Sequence, residues 1–170
     1  MSETPKDTAG APQFHMERHF AAPRQRVWDA FAKPEQLAQW FGPKGSTITI
    51  LSHALRPGGM IHYAMDFPGG GRVYGRSVYR EVEAPSRLVW VNSFADAQAE
   101  IVRAPFFDGT FPLELLTTVV LHEDGAGTRL ELTWGPLDTG EAERRTFSEN
   151  TESFRQGWTG SFDQLEAFLA

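Results

Sequence analysis

The sequence predicts an α+β fold, a curved antiparallel sheet of about seven strands wrapped around one long C-terminal helix, with two short helices after the first strand. Three observations carry that reading. FHMERHF alternates Phe14, Met16, Arg18 and Phe20 against His15, Glu17 and His19, the two-residue repeat of a strand. From Ser46 to Pro136, β-patterned segments are separated by RPGG, PGGG, EAPS and DGAG, each with the proline or glycine that a reverse turn requires. Near the end, Phe154, Trp158, Phe162, Leu165 and Leu169 fall on one stripe of a 3.6-residue period, so that helix needs a broad apolar surface beneath it.

Taken in order, residues 1–13 are polar, hold Pro5, Gly10 and Pro12, show no period and are expected to form a disordered tail. Residues 14–170 are expected to form one domain. After the first strand, Val27, Trp28 and Phe31 give a short helical face beginning near Pro23. Pro34 ends that helix and starts a second one that runs to Trp40, where Gly42 and Pro43 stop it. Four strands joined by hairpins follow between Ser46 and Ala95. ADAQAEIVRAPFFDGTF breaks the rhythm as a longer loop, with Asp108 and Gly109 turning a lid that carries Phe106 and Phe107. Two further strands, PLELLTTVVLHED and GTRLELTWGP, complete the sheet. Asp138 is the expected N-cap of the last helix, with Glu141 completing a capping box, and no proline interrupts the chain from there to Leu169. One helix of more than 25 residues is therefore expected, with any bend near Gly157 and Gly160.

The chain has 170 residues, 41% of them hydrophobic, enough for a substantial core. Its formal net charge of −6, with the basic residues scattered, opposes binding to a phosphate backbone, so no nucleic-acid partner is expected. No apolar run reaches the roughly 18–20 residues of a membrane span, and the first residues lack a secretory pattern, so the expected location is the cytoplasm, with no membrane partner. The absence of cysteine removes disulfide and thiolate chemistry.

The ordered set AAPRQRVWDAFAKPEQLAQWFGPKG, LRPGGMIHY, YGRSVYREVEAPSRLVWV, GTRLELTWG and FRQGWTGSFDQLEAFL resembles the START-like (SRPBCC) superfamily. More narrowly it resembles the family named for homology to the activator of the heat-shock-protein-90 ATPase. The resemblance covers about Phe14 to Leu169 and implies the helix-grip (START/Bet v 1-like) fold. It implies a container whose contents vary and brings no catalytic set to carry over. The longer loop from Ala95 to Phe111 departs from the plainest family pattern.

None of His15, His19, His53, His62 and His122 has a metal-ligand spacing, so neither metal nor cofactor is expected. His62 reads as a solvent-side or rim histidine, and Asp66, Glu81, Glu114 and Glu131 as outward, salt-bridged carboxylates. No nucleophile elbow surrounds Ser77, Thr117 or Thr118, and no catalytic residue is named. The aromatic residues are the candidate ligand wall: Trp40, Phe41, Tyr74, Trp90, Phe106, Phe107, Trp134, Phe154 and Trp158, with Arg76 and Arg103 as carboxylate partners at its mouth. The same aromatic spacings also fit a filled core. Three functions remain open: a binding protein for a small hydrophobic ligand, an interaction module acting on a chaperone ATPase, and a cyclase-like or hydrolase-like enzyme. The first is expected, with enzymatic activity the less expected outcome; the sequence leaves oligomeric state open.

Overall fold

A computed structural model describes residues 12–137 and 139–170. Most of the expected tail and Asp138, the expected helix cap, lie outside them. Pro12 and Gln13 run beside Gly135, where an added side-chain carbon would lie 2.8 Å from the Pro12 carbonyl oxygen.

The described residues form one seven-stranded antiparallel sheet and four helices. β1 (Phe14–Phe20) is followed by α1 (Arg24–Ala32) and α2 (Pro34–Trp40). Then come β2 (Thr47–His53), β3 (Met60–Asp66), β4 (Arg72–Glu83), β5 (Arg87–Ala95), β6 (Glu114–Asp124) and β7 (Gly127–Leu137). The strand order β1-β7-β6-β5-β4-β3-β2 means that all neighbours except β1 and β7 are consecutive in the chain, joined by short turns save for the long 96–113 segment between β5 and β6. β1 closes the far edge, with Phe14 opposite Trp134 and Phe20 opposite Thr128. Irregularities in β2 between Ile50 and Ser52 and in β4 between Tyr79 and Glu81 bend the sheet as bulges do.

The C-terminal segment departs from the expected single helix. α3 (Glu141–Glu149) and α4 (Thr151–Leu169) are separated by Asn150, whose φ of −116° and ψ of 14° interrupt the helix. The cause is local. The Asn150 side-chain amide donates to the Thr146 carbonyl at 2.7 Å, taking over an acceptor that a continuing helix would use for backbone. Gly157 and Gly160 lie within unbroken α4, so the glycines are not the bend. α3 begins after Gly140, whose N–H donates to Glu143 Oε1 at 3.4 Å, so the acidic partner sits at 143 rather than 141.

The core lies between the inner face of the sheet and the helices. Phe20, Val27, Phe31, Trp40, Leu115, Leu130, Leu132, Phe147, Phe162 and Leu165 are its buried centre. Trp40 meets Phe31 edge-on at 4.8 Å, and its indole N–H donates to the Ala30 carbonyl at 2.9 Å, locking α2 against α1. Phe162 of α4 meets Phe20 of β1 edge-on at 6.1 Å. No helix among the described residues is long and apolar enough to cross a membrane.

The turn between β2 and β3 is packed onto β4. Gly58 N–H donates to the Tyr79 carbonyl at 2.8 Å, and Tyr79 N–H donates to the Gly59 carbonyl at 2.9 Å. A side-chain carbon at Gly59 would collide with the Ala54 carbonyl oxygen and lie 2.9 Å from that of Arg56. Both obstacles are backbone, which cannot rotate aside. Gly59→Ala is therefore expected to lower the urea midpoint by the equivalent of about 1–3 kcal/mol with an unchanged slope, as overpacking does. An unchanged midpoint would show that the turn relaxes freely.

Candidate functional site

Along β3, Ile61, Tyr63 and Met65 point to the inner face, while His62 and Ala64 point to the outer one. β4 repeats the pattern, with Gly75, Ser77 and Tyr79 inward. Gly75 sits directly across from Tyr63. A side-chain carbon on Gly75 would overlap the Tyr63 ring, 2.7 Å from Cε2 and closer still to Cζ and the hydroxyl. The missing side chain thus lets the phenol lie over β4.

Tyr63 stands between two adjoining chambers. The first has a volume of about 260 Å³ and lies under the first half of α4, among Phe41, Pro43, Met65, Trp134, Phe154 and Trp158. Gly157 and Ser153, both exposed, border it. The second, about 250 Å³, lies under the 95–111 segment, among Gly75, Asn92, Phe94, Phe106, Phe107 and Phe111. Tyr63, Met65, Trp134 and Phe154 belong to both walls. Each volume exceeds the roughly 150 Å³ that suffices for a benzene-sized guest.

The cavity exists because α4 touches the sheet unevenly. Phe162 and Leu165 are fully buried, whereas Phe154 and Trp158 are only partly so. Phe154 packs edge-on against Trp134 at 5.1 Å and against Phe111 at 6.0 Å. Trp158 meets Trp134 at 5.9 Å and Phe162 at 5.5 Å. Gly157 does not bring helix and sheet together, since a side-chain carbon there would meet nothing within 4 Å.

Of the nine expected wall residues, Phe41, Phe106, Phe107, Trp134, Phe154 and Trp158 line these chambers. Trp40 and Trp90 do not. Trp40 is consumed in the α1–α2 contact, and Trp90 borders a separate hollow of about 20 Å³ behind Tyr63, with Phe31 and Tyr79. Tyr74 is on the wrong face: strand alternation turns it outward, where it stacks on His62 at 5.8 Å. His62 is no rim residue, being 6% exposed, with Nε2 3.0 Å from the Asp96 carbonyl oxygen. Arg76 donates to the Ala99 carbonyl at 2.9 Å on that same face. Arg103 pairs with Glu143 at 3.0 Å and donates to the Phe111 carbonyl at 3.2 Å, tying the long loop to α3. Both arginines are thus committed away from the chambers.

Sequence reasoning passed over Tyr63, Met65, Gly75 and Asn92. The signal for Tyr63 was present in its alternation with His62, but its use of Gly75 depends on register between two strands. Asn92 Oδ1 accepts from Thr117 Oγ1 at 2.7 Å and from the Trp134 indole N–H at 3.4 Å. Three of the four expected outward carboxylates pair with surface arginines, Asp66 with Arg72 at 2.8 Å, Glu81 with Arg87 at 3.1 Å and Glu131 with Arg129, whereas the expected pairing of Glu114 is not among these contacts.

A model of the family described as activator of Hsp90 ATPase homolog 1-like protein matches residues 21–170. The chain belongs to this family. Similar solved structures are those of protein Ms6760 from Mycobacterium smegmatis, protein CV1439 from Chromobacterium violaceum and a protein from Arthrobacter aurescens. The first is 27% identical over 95% of this chain and 92% of its own, with a TM-score of 0.74. The second is 26% identical over 92% and 96%, with a TM-score of 0.72. The third is 26% identical over 94% and 87%, with a TM-score of 0.78. No curated protein matches. The seven-stranded sheet with its C-terminal helix is the family's helix-grip fold.

Burial raises the Tyr63 and Tyr79 phenols to about 12 by penalising the phenolate. A phenol held above its unfolded value of about 10 contributes stability that is complete below pH 10 and lost as pH rises toward 12. Denaturant midpoints are therefore expected to fall between about pH 10 and pH 12, and Tyr63→Phe to flatten that fall. An identical decline in Tyr63→Phe would mean that Tyr63 ionises as freely folded as unfolded.

Gly75→Ala is expected to displace the Tyr63 ring at a cost of about 1–3 kcal/mol. In the Tyr63→Leu background the added cost should shrink, giving a non-additive double-mutant cycle. Additivity would show that the two residues do not meet.

Proposed function

We propose that this protein binds a small hydrophobic ligand in the paired chambers beneath α4 and the 95–111 segment. The observation that carries the reading is the adjoining space, about 260 and 250 Å³, with a common wall of Tyr63, Met65, Trp134 and Phe154. Apolar concave space with a few placed polar groups is the usual form of a small-molecule site. Its occupant would be desolvated against aromatic faces, and Phe106, 46% exposed, would cover one mouth. The large apolar residues exposed among the described ones are Leu51, Val102 and Phe106, which do not favour a broad protein-docking face.

Gly157 offers the cleanest test because its added atoms enter open space beside the first chamber. Gly157→Ala is expected to stabilise the protein by about 0.5–1 kcal/mol through helix propensity. Gly157→Leu should remain folded yet weaken saturable binding of the neutral fluorescent probe N-phenyl-1-naphthylamine at least fivefold. Native mass spectrometry of freshly purified protein would report a retained ligand directly. No saturable probe binding by folded wild-type protein, and no retained mass, would overturn the reading in favour of an interaction module.

A further inference from the structure

The polar groups of the second chamber specify more than an oily guest. Neither chamber wall contains a charged side chain among the described residues. A carboxylate entering this space would lose water and gain no cation, a cost of several kcal/mol. Arg76 and Arg103 hold other partners, as described above.

The orientation of Asn92 is fixed chemically. An indole N–H can only donate, so the amide atom facing Trp134 must be the oxygen, and that oxygen also receives the Thr117 hydroxyl. The opposite flip would set two donors against each other. The Asn92 NH₂ group is thereby left without a partner among the described residues, in a side chain that lines the second chamber. The Tyr63 hydroxyl, held over Gly75 in the same wall, likewise has no hydrogen-bond partner among the described residues. One oriented amide donor, one phenolic hydroxyl free to donate, no cation and aromatic walls form one recognition pattern.

We infer that the ligand is a neutral, largely aromatic molecule bearing a hydrogen-bond acceptor such as a ketone, received by the Asn92 side-chain NH₂ and the Tyr63 hydroxyl, and not a free carboxylic acid. This rests on the binding reading above and deepens it. Asn92 acts as a specificity determinant: its oxygen is spent on Thr117 and Trp134, so only its donor face is available.

Three probes with one skeleton separate the possibilities: 2-ethylnaphthalene, 2-acetylnaphthalene and 2-naphthoate, titrated at pH 7 by tryptophan quenching. The ketone is expected to bind roughly fivefold to tenfold more tightly than the hydrocarbon, as one to two neutral hydrogen bonds allow, and the carboxylate more weakly than either. Asn92→Asp keeps oxygen toward Thr117 and Trp134 but replaces the donor, and should abolish the preference for the ketone. Should that variant not fold, the side-chain amide resonances of Asn92 in the wild type decide, since the ketone should shift them and the hydrocarbon should not. Equal binding of ketone and hydrocarbon, a preference for the carboxylate, or Asn92 resonances indifferent to the ketone would overturn the inference while leaving hydrophobic binding intact. Failure of all three probes would instead strike the binding reading itself, and the inference with it.

Discussion

The carbonyl oxygens at the end of α2 are where the long helix is fastened. Ser161 Oγ donates to the Gly42 carbonyl at 2.9 Å, and the Gln164 amide donates to the Trp40 and Gly42 carbonyls at 2.9 and 3.0 Å. Gly42 adopts a φ of +98°, and a side-chain carbon there would lie 2.8 Å from Ile48 Cδ1, so the corner closes only around glycine. Buried carbonyls left without donors cost about 1–3 kcal/mol each, which makes this corner an anchor of position as well as of stability. Phe162 and Leu165 on either side of these polar groups complete the attachment by burial.

An anchor in the second half of α4 sets the geometry of the first half. Asn150 ends α3 and redirects the chain, so the segment from Ser153 to Trp158 spans the sheet between two fixed points without lying down on it. The aromatic residues there reach inward and touch one another, Phe154 and Trp158 both meeting Trp134. They build a wall where smaller side chains would have allowed collapse. The second chamber arises in the same way: the 95–111 segment is tied to α3 through Arg103–Glu143 and through Thr146, whose hydroxyl donates to that of Thr110 at 2.7 Å. Phe106 and Phe107 are thereby held over the sheet beside Phe94 and Phe111.

The polar chemistry of this space is sparse and directional. The outer face of the sheet takes the charges, in cross-strand pairs such as Asp66–Arg72 and Glu17–Arg129. The inner face keeps the neutral groups, Tyr63, Asn92 and Thr117. That division follows from the two-residue period of strands, since a single offset exchanges every side chain between faces. Solved structures at about a quarter identity share this fold, and a shared fold alone leaves the chemistry of its interior open.

The sequence by itself determined the frame. Alternation gave β1 its faces, Pro34 and Gly42 bounded α2, the turns separated the hairpins, and the aromatic stripe of α4 demanded a sheet beneath it, because each of these signals is carried by residues close together in the chain. Six of the nine expected wall residues were legible for the same reason, lying on a helical stripe, at a corner or in one unusual loop. Only the tertiary structure decided the rest. Tyr74 points away because face assignment depends on cross-strand register, and Trp40 and Trp90 are spent on packing because their partners come from other elements. Tyr63, Gly75 and Asn92 enter the site through pairings between strands. Whether aromatic residues fill a core or surround a space depends on how far apart α4 and the sheet are held, a distance fixed by contacts between residues more than a hundred positions apart, such as Gly42 with Ser161.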